Sequence, residues 1–362
     1  MVGGGPGAFI GPVHRMAAEL DGRIRLVAGA FSRDAVKSRE AGEAWNARAY
    51  ADYAEMISAE RARDDGAEAV AIVTPNRIHL PIARAALEAG LHVISDKPAT
   101  ATLAEAHELA TAVRGSGRVY ALTYVYTGYP MVREARAIVA RGDLGMVRKV
   151  VVEYAQGWLS EPIEQTGNRQ ASWRANPGEA GAGGAIGDIG VHAFNLAEFI
   201  TGARVERLCS DLASVVPGRA LDDDCNVLMR FQGGARGVLI ASQVSAGGRN
   251  GLRISVYGDK GGLTWSHERH TELMLDWLDR PSQVLHAGSP YLSCEAQAAS
   301  RLPSGHPEGF IEAFANIYRD VADAVAGKVA PLLPGIDVGL RGMAFVECAV
   351  EANGKGWVEL SV

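Results

Sequence analysis

Along the first third of the chain, short apolar runs alternate with amphipathic stretches. The runs "IRLVAGAF" (24–31), "AEAVAIVTP" (67–75), "LHVISDKP" (91–98) and "RVYALTYV" (118–125) are rich in Val and Ile and bounded by Gly, Pro or Asp. These are parallel-strand signals. Between them, "PIARAALEAG" (81–90) and "TLAEAHELATAVRGSG" (102–117) carry apolar residues at three and four spacing and end in glycine, as helices do. Thr102 and Glu105 have the spacing of a capping box. Strands alternating with helices in this way predict a doubly wound parallel sheet, whose ligands sit at the C-terminal edge of the strands.

After about residue 124 the texture changes. "MVRKVVVEYAQGW", "ERLCSDLASVV", "CNVLMRFQGGARGVLIASQVS", "LRISVYGDKGGLTWS" and "TELMLDWL" resemble strands joined by tight glycine turns, which predicts an antiparallel or mixed sheet. Helices are expected at 192–202 and 306–328. The stretch 167–187 is polar and glycine-rich, a candidate substrate loop. No internal repeat is visible.

At 362 residues two domains are the better expectation. A hydrophobic fraction of 48% and a charged fraction of 22% describe an ordinary globular protein. The net charge of -6 would repel a phosphate backbone, which argues against nucleic acid as a partner. No apolar run approaches the roughly 20 residues of a membrane helix, and no signal sequence is evident, so no membrane partner and a cytoplasmic location are expected. The four cysteines lie far apart without clustered histidines, which argues against a disulfide framework and a metal site.

The chain opens "MVGGGPGAFIGPVH". Gly3, Gly5 and Gly7, with Ala8, Phe9 and Ile10 leading toward a helix expected from Pro12, offer the tight turn and helix N-terminus that a dinucleotide pyrophosphate needs. Gly11 arrives three residues late for G-x-G-x-x-G, so the turn must carry an insertion; a flexible N-terminal turn is the alternative. Only Met1 and Val2 precede the glycines, so the first strand is very short or begins upstream of this numbering.

Taken together these motifs resemble the Gfo/Idh/MocA family of NAD(P)-dependent sugar and cyclitol oxidoreductases. "GPVH" is similar to the family's G-x-x-H, "VTPNRIH" (73–79) to its T-P-x-x-x-H, "SDKP" to its E-K-P with Asp96 for Glu, and "GGAIGDIGVHAFN" (183–195) to its G-G-x-x-x-D-x-G-x-H-x-x-D. Asn195 replaces the last acid, and "YVYTGYP" (124–130) lacks the usual N-x-R. The resemblance implies an α/β chain with an N-terminal Rossmann domain over 1–123. A C-terminal α+β domain over 124–362 would carry a large, mainly antiparallel open sheet that supports a homodimer or homotetramer. It also implies hydride transfer between NAD or NADP and a secondary alcohol of a sugar, glycoside or inositol.

That chemistry needs a base for the hydroxyl proton and a positive charge near the developing oxyanion. Lys97, held extended by Pro98 at the cleft expected between the domains, and His192 supply these; a plain surface charge and a buried capping histidine are the bland readings. Asp188 lies four residues before His192, on the same face if the stretch is helical, and is a substrate ligand or an N-cap. Thr74, Pro75, Asn76 and His79 follow a strand, where Asn76 could cap a helix and backbone amides could face the nicotinamide ribose. Asp96 and Lys97 complete the cofactor side. Ser32 and Arg33 stand where an acid would select the ribose hydroxyl, and Arg33 favours a 2'-phosphate, so NADP should be tolerated. Trp173 and Arg174 suit stacking on a sugar ring, or packing between domains; Tyr126 and Tyr129 lie near the junction. A non-catalytic dinucleotide-binding regulator, or a reductase of an unrelated carbonyl, is the competing reading.

Overall fold

The structure is a computed structural model that describes residues 1–5 and 7–362. It divides into two compact units, Met1–Val125 with Phe310–Leu340, and Tyr126–Gly309 with Arg341–Val362.

The first unit contains six short strands: β1 (Val2–Gly3), β2 (Ala28–Gly29), β3 (Arg48–Ala49), β4 (Ala69–Val73), β5 (His92–Ser95) and β6 (Tyr120–Leu122). Strands β1-β4-β5-β6 pair in parallel, as do β2-β3, and a parallel bridge from Val2 to Ala30 links the two sets. The resulting order 3-2-1-4-5-6 reverses between β1 and β4, the point where doubly wound sheets bind nucleotides. Ile72, Val93 and Ala121 are fully buried, as a sheet covered on both faces requires. The expected strand 24–31 narrows to the two residues of β2. Its successor β3 and the helices Ala35–Trp45 and Tyr53–Arg61 had no clear apolar period; they begin instead at aspartates, Asp34 and Asp52, that accept hydrogen bonds from the first helical N–H groups. The capping box at Thr102 and Glu105 is formed.

The sequence assigns everything after residue 123 to the second domain, and the structure corrects this for 310–340. The helix Phe310–Val325 packs against the helix Ile10–Glu19, with His14 Nδ1 2.7 Å from the Tyr318 hydroxyl and the His14 and Phe314 rings 4.9 Å apart. An apolar face of the later helix has its partner in the first unit, which no local pattern records.

The second unit is built on nine strands: β7 (Lys149–Ala155), β8 (Val205–Ala213), β9 (Asp224–Phe231), β10 (Arg236–Ser242), β11 (Gly251–Tyr257), β12 (Gly261–Ser266), β13 (Glu272–Trp277), β14 (Gln283–His286) and β15 (Val358–Glu359). Their order is 14-13-12-11-7-10-9-8-15, antiparallel except where β7 meets β10. Register explains the core. Val227, Leu239, Val152, Ile254, Trp265 and Leu273 stand opposite one another across six strands and are all buried. On the other face the corresponding row runs Leu228, Val238, Val151, Ser255, Thr264, Met274, Val284, and both its ends, Leu228 and Val284, are exposed. The helix Val191–Thr201 contacts β7, β10 and β11. Its Phe194 stacks on Phe345, ring centroids 4.2 Å apart.

Candidate active-site residues

In the first unit, the chain leaves β1 through a glycine loop tied to the chain after β2: Gly3 N–H donates to Ala30 O at 2.9 Å and Gly5 N–H to Phe31 O at 3.1 Å. The following helix starts at Ile10, two residues before the expected Pro12. Gly11 therefore lies inside it, where a Cβ would stand 2.0 Å from Gly4 O. The late third glycine thus permits the close approach of helix to loop. Gly7, at φ +79°, faces open space, and Ala8 N–H closes the turn on Gly5 O at 3.0 Å. The first helical turn has neither an acid nor a side-chain cap, and Phe9 is 69% exposed. A positive N-terminus beside an uncrowded glycine is suited to an anion.

After β2, Ser32 Oγ accepts from Asp34 N–H at 3.1 Å, while Asp34 caps its helix through Val36 and Lys37. Arg33 is exposed. After β4, the Thr74 Oγ1 is buried with no hydrogen-bond partner in the protein. Asn76 does not cap the helix; Pro75 holds the N-cap position of a short 3-10 turn, and Asn76 is buried within that turn. His79 bridges two loops, Nε2 2.9 Å from Thr74 O and Nδ1 2.9 Å from Pro98 O. After β5, one Asp96 carboxylate oxygen accepts from Lys97 N–H and from Thr123 Oγ1, each at 2.9 Å. Asp96 thereby fixes the backbone from which the partly buried Lys97 projects; the Lys97–Pro98 bond is cis.

In the second unit, Asp188 lies in a single π-helical turn, Ile186–Gly190, that runs into the helix bearing His192. Asp188 is therefore not the N-cap, and the i, i+4 alignment of a regular α-helix does not hold across the wider turn. The entry to the turn is clamped by Asp222, whose carboxylate accepts from Gly184 N–H at 2.7 Å and Ile186 N–H at 2.8 Å. The Asp188 Oδ2 accepts from Arg174 Nε at 3.0 Å and Gln243 Nε2 at 2.9 Å. Arg174 also lies over the Trp173 ring, 4.2 Å from its centroid. His192 is buried, with the Tyr126 ring near-perpendicular to it at 5.1 Å.

Tyr126 belongs to a polar cluster that sequence reasoning did not find. Its hydroxyl meets that of Tyr154. Asn250 bonds to both phenols, Gln156 to Asn250, and Trp158 to Gln156. Tyr129 pairs with His267 at 3.0 Å. Burial raises the pKa of both Tyr126 and Tyr154 and lowers that of His267, so all three are held neutral. One signal was available: Val150, Val152 and Tyr154 alternate toward the core, and Gln156 continues that parity as a polar residue. Nothing local marks Asn250, Gln243 or Asp222.

The model described as "Oxidoreductase family, NAD-binding Rossmann fold" matches residues 1–124, and that for the GFO/IDH/MocA C-terminal domain matches residues 132–264. The chain belongs to the Gfo/Idh/MocA oxidoreductase family. Its first unit is the family's NAD-binding Rossmann fold. Within the family it is similar to the uncharacterized oxidoreductase YfiI of Bacillus subtilis, at 35% identity over 99% of this chain and 95% of that one. Among solved structures, an inositol dehydrogenase homolog from Azotobacter vinelandii complexed with NAD+ superimposes with a TM-score of 0.95 at 38% identity, covering 99% of this chain and 96% of the other. The same homolog complexed with NADH and myo-inositol gives a TM-score of 0.92 at 38% identity, with the same coverage. The Gfo/Idh/MocA motifs named from the sequence thus lie on the glycine loop, the β4 and β5 exits and the π-turn. Among the described residues no group of three or more His, Cys, Asp or Glu is disposed to hold a metal, and no helix is long and apolar enough to cross a membrane.

Proposed function

We propose that this Gfo/Idh/MocA chain is a dehydrogenase that moves a hydride between NAD(P) and a secondary alcohol of a polyhydroxylated ring, a sugar or a cyclitol. The observation that carries this reading is Lys97 at the exit of β5, its backbone tied to Asp96, in a chain that also keeps Asp188 on a clamped turn and His192 on the helix that follows it. A regulator that only binds dinucleotide needs none of the three.

The glycine loop fits the cofactor. Gly3, Gly5 and Gly7 with the N–H groups of Ala8, Phe9 and Ile10 would take the pyrophosphate. The buried Thr74 Oγ1, with Pro75, Asn76 and His79, would serve the nicotinamide end. Ser32 and the exposed Arg33 would meet the adenosine ribose, with Arg33 admitting a 2'-phosphate. NAD supplies the hydride acceptor when bound. In the oxidation direction the C–H electron pair leaves with the hydride and the O–H proton goes to His192, which must be neutral to accept it. The Lys97 ammonium donates to the same oxygen as its negative charge grows. Asp188, oriented by Arg174 and Gln243, would accept from a substrate hydroxyl. Tyr126 walls this half of the site, and Trp173 with Arg174 offers a flat face to a sugar ring.

A homodimer or homotetramer is part of the proposal. The outward row from Leu228 to Val284 is largely apolar, and such sheet faces are rarely left to solvent. Light scattering should give at least twice the 38.3 kDa chain mass; a monomer at micromolar concentration would remove this element.

The activity itself is tested by mixing NAD+ or NADP+ with a panel of aldoses, glycosides and cyclitols and following reduced nicotinamide. At least one ring polyol should be oxidised, and a substrate deuterated at the reacting carbon should transfer deuterium to the nicotinamide. A chain that binds NAD+ yet oxidises no polyol, and reduces none of the corresponding ketones, would favour the regulator.

A further inference from the structure

The cluster beside His192 is arranged as a closed circuit. The Asn250 Nδ2 amide donates to the Tyr126 hydroxyl at 3.1 Å, and the Tyr154 hydroxyl donates to Asn250 Oδ1 at 2.6 Å. Only one direction is then left for the phenol pair: the Tyr126 hydroxyl donates to Tyr154. Each of the three side chains donates to the next and accepts from the previous one. Gln156 Nε2 adds a second donor to Asn250 Oδ1 at 2.7 Å and is itself held by Trp158 Nε1 through its Oε1 at 3.0 Å. On the other side, His267 Nδ1 lies 3.1 Å from the Asn250 backbone oxygen and Nε2 lies 3.0 Å from the Tyr129 hydroxyl. That matches a neutral ring protonated at Nδ1, which leaves Asn250 Nδ2 to Tyr126.

The consequence concerns Tyr126. Its hydroxyl is used in both directions within the circuit, and the residue is 4% exposed. What Tyr126 presents outward is its ring, near-perpendicular to the His192 imidazole at 85° and 5.1 Å. An imidazole acting as base must keep its ring plane aligned with the proton it takes. We propose that Asn250, acting through the Tyr126–Tyr154 pair, is the positioning residue that holds the His192 imidazole in orientation. This rests on the reading of His192 as the proton acceptor.

The test combines kinetics with nuclear magnetic resonance of histidine-labelled enzyme, the His192 ring signals being assigned by their loss in His192→Gln. Asn250→Ala should lower kcat by roughly 10- to 100-fold, the scale of a small misplacement of a reacting group, with KM and NADH affinity nearly unchanged, and should move the His192 ring signals. Tyr126→Phe should do the same, and the double variant should be no slower than either single one, because both remove the same anchor. If Asn250→Ala fails to fold, Tyr154→Phe breaks the same circuit with the ring volume kept and carries the same expectation. Unmoved His192 signals with full kcat, or losses that multiply in the double variant, would overturn the proposal. A wild type inactive on every polyol whose His192 signals still shift in Asn250→Ala would overturn the dehydrogenase reading and leave the positioning role standing.

Discussion

His14, which closes the sequence motif after the glycine loop, is held in the interior of the first unit without charge. Burial lowers its pKa to about 4, against a weaker opposing pull from Asp96, and its Nδ1 is engaged by Tyr318. In the unfolded chain the same group titrates near its ordinary value of 6.5. The depressed folded value therefore contributes stability that is complete above about pH 6.5 and is lost as pH falls toward 4, worth roughly 3 kcal/mol at most. Urea unfolding should accordingly show falling stability between pH 7 and pH 4, and His14→Gln should flatten that slope. An equal slope in the variant would mean that His14 is not the group responsible. At this scale the sequence was readable where a local spacing demands a residue type, as for the capping box of Thr102 and Glu105. It was not readable for Asn250, an ordinary polar residue ahead of a strand whose meaning comes from phenols far away in the chain.

The π-turn carrying Asp188 shows what an element needs beyond its own pattern. The glycines in and before it make the stretch look like a loop, and one that precedes it, Gly184, must be glycine because a Cβ would stand 2.1 Å from Asp222 O. The turn is ordered from outside: Asp222 accepts from the N–H groups of Gly184 and Ile186 at its entry and from the Cys225 thiol, and Ala185 N–H donates to the Asp222 backbone at 2.8 Å. Asp222→Ala would leave two backbone donors without their acceptor, a loss of roughly 2 kcal/mol, and would free the segment bearing Asp188. Thermal unfolding should reveal the first effect and a lowered kcat the second, with Asp222→Asn, which retains one acceptor, intermediate in both. A variant as stable and as active as wild type would show that the clamp is dispensable. The same limit explains the missed helix Ile336–Ala352 and the late recognition of Phe310–Val325 as part of the first unit: their partners are separated from them by long stretches of chain.

For the whole molecule, the strand–helix alternation and the glycine-turned strands were enough to read a doubly wound sheet followed by an antiparallel or mixed one, because both periods are local. Strand order, the bridge from Val2 to Ala30 that completes the first sheet, and the parallel meeting of β7 with β10 are long-range pairings and leave no such trace. The central proposal is functional: Lys97 and His192 each take part in the proton and hydride transfer. Single-turnover measurement of reduced nicotinamide with Lys97→Ala, His192→Ala and the double variant, on whichever polyol the wild type oxidises, tests it most directly. Each single variant should slow the chemical step by roughly 10²-fold or more while the dissociation constant for NADH stays near that of wild type, and the double variant should fall well short of multiplying the two losses. Full turnover in Lys97→Ala, or a loss accounted for entirely by unfolding, would contradict the account.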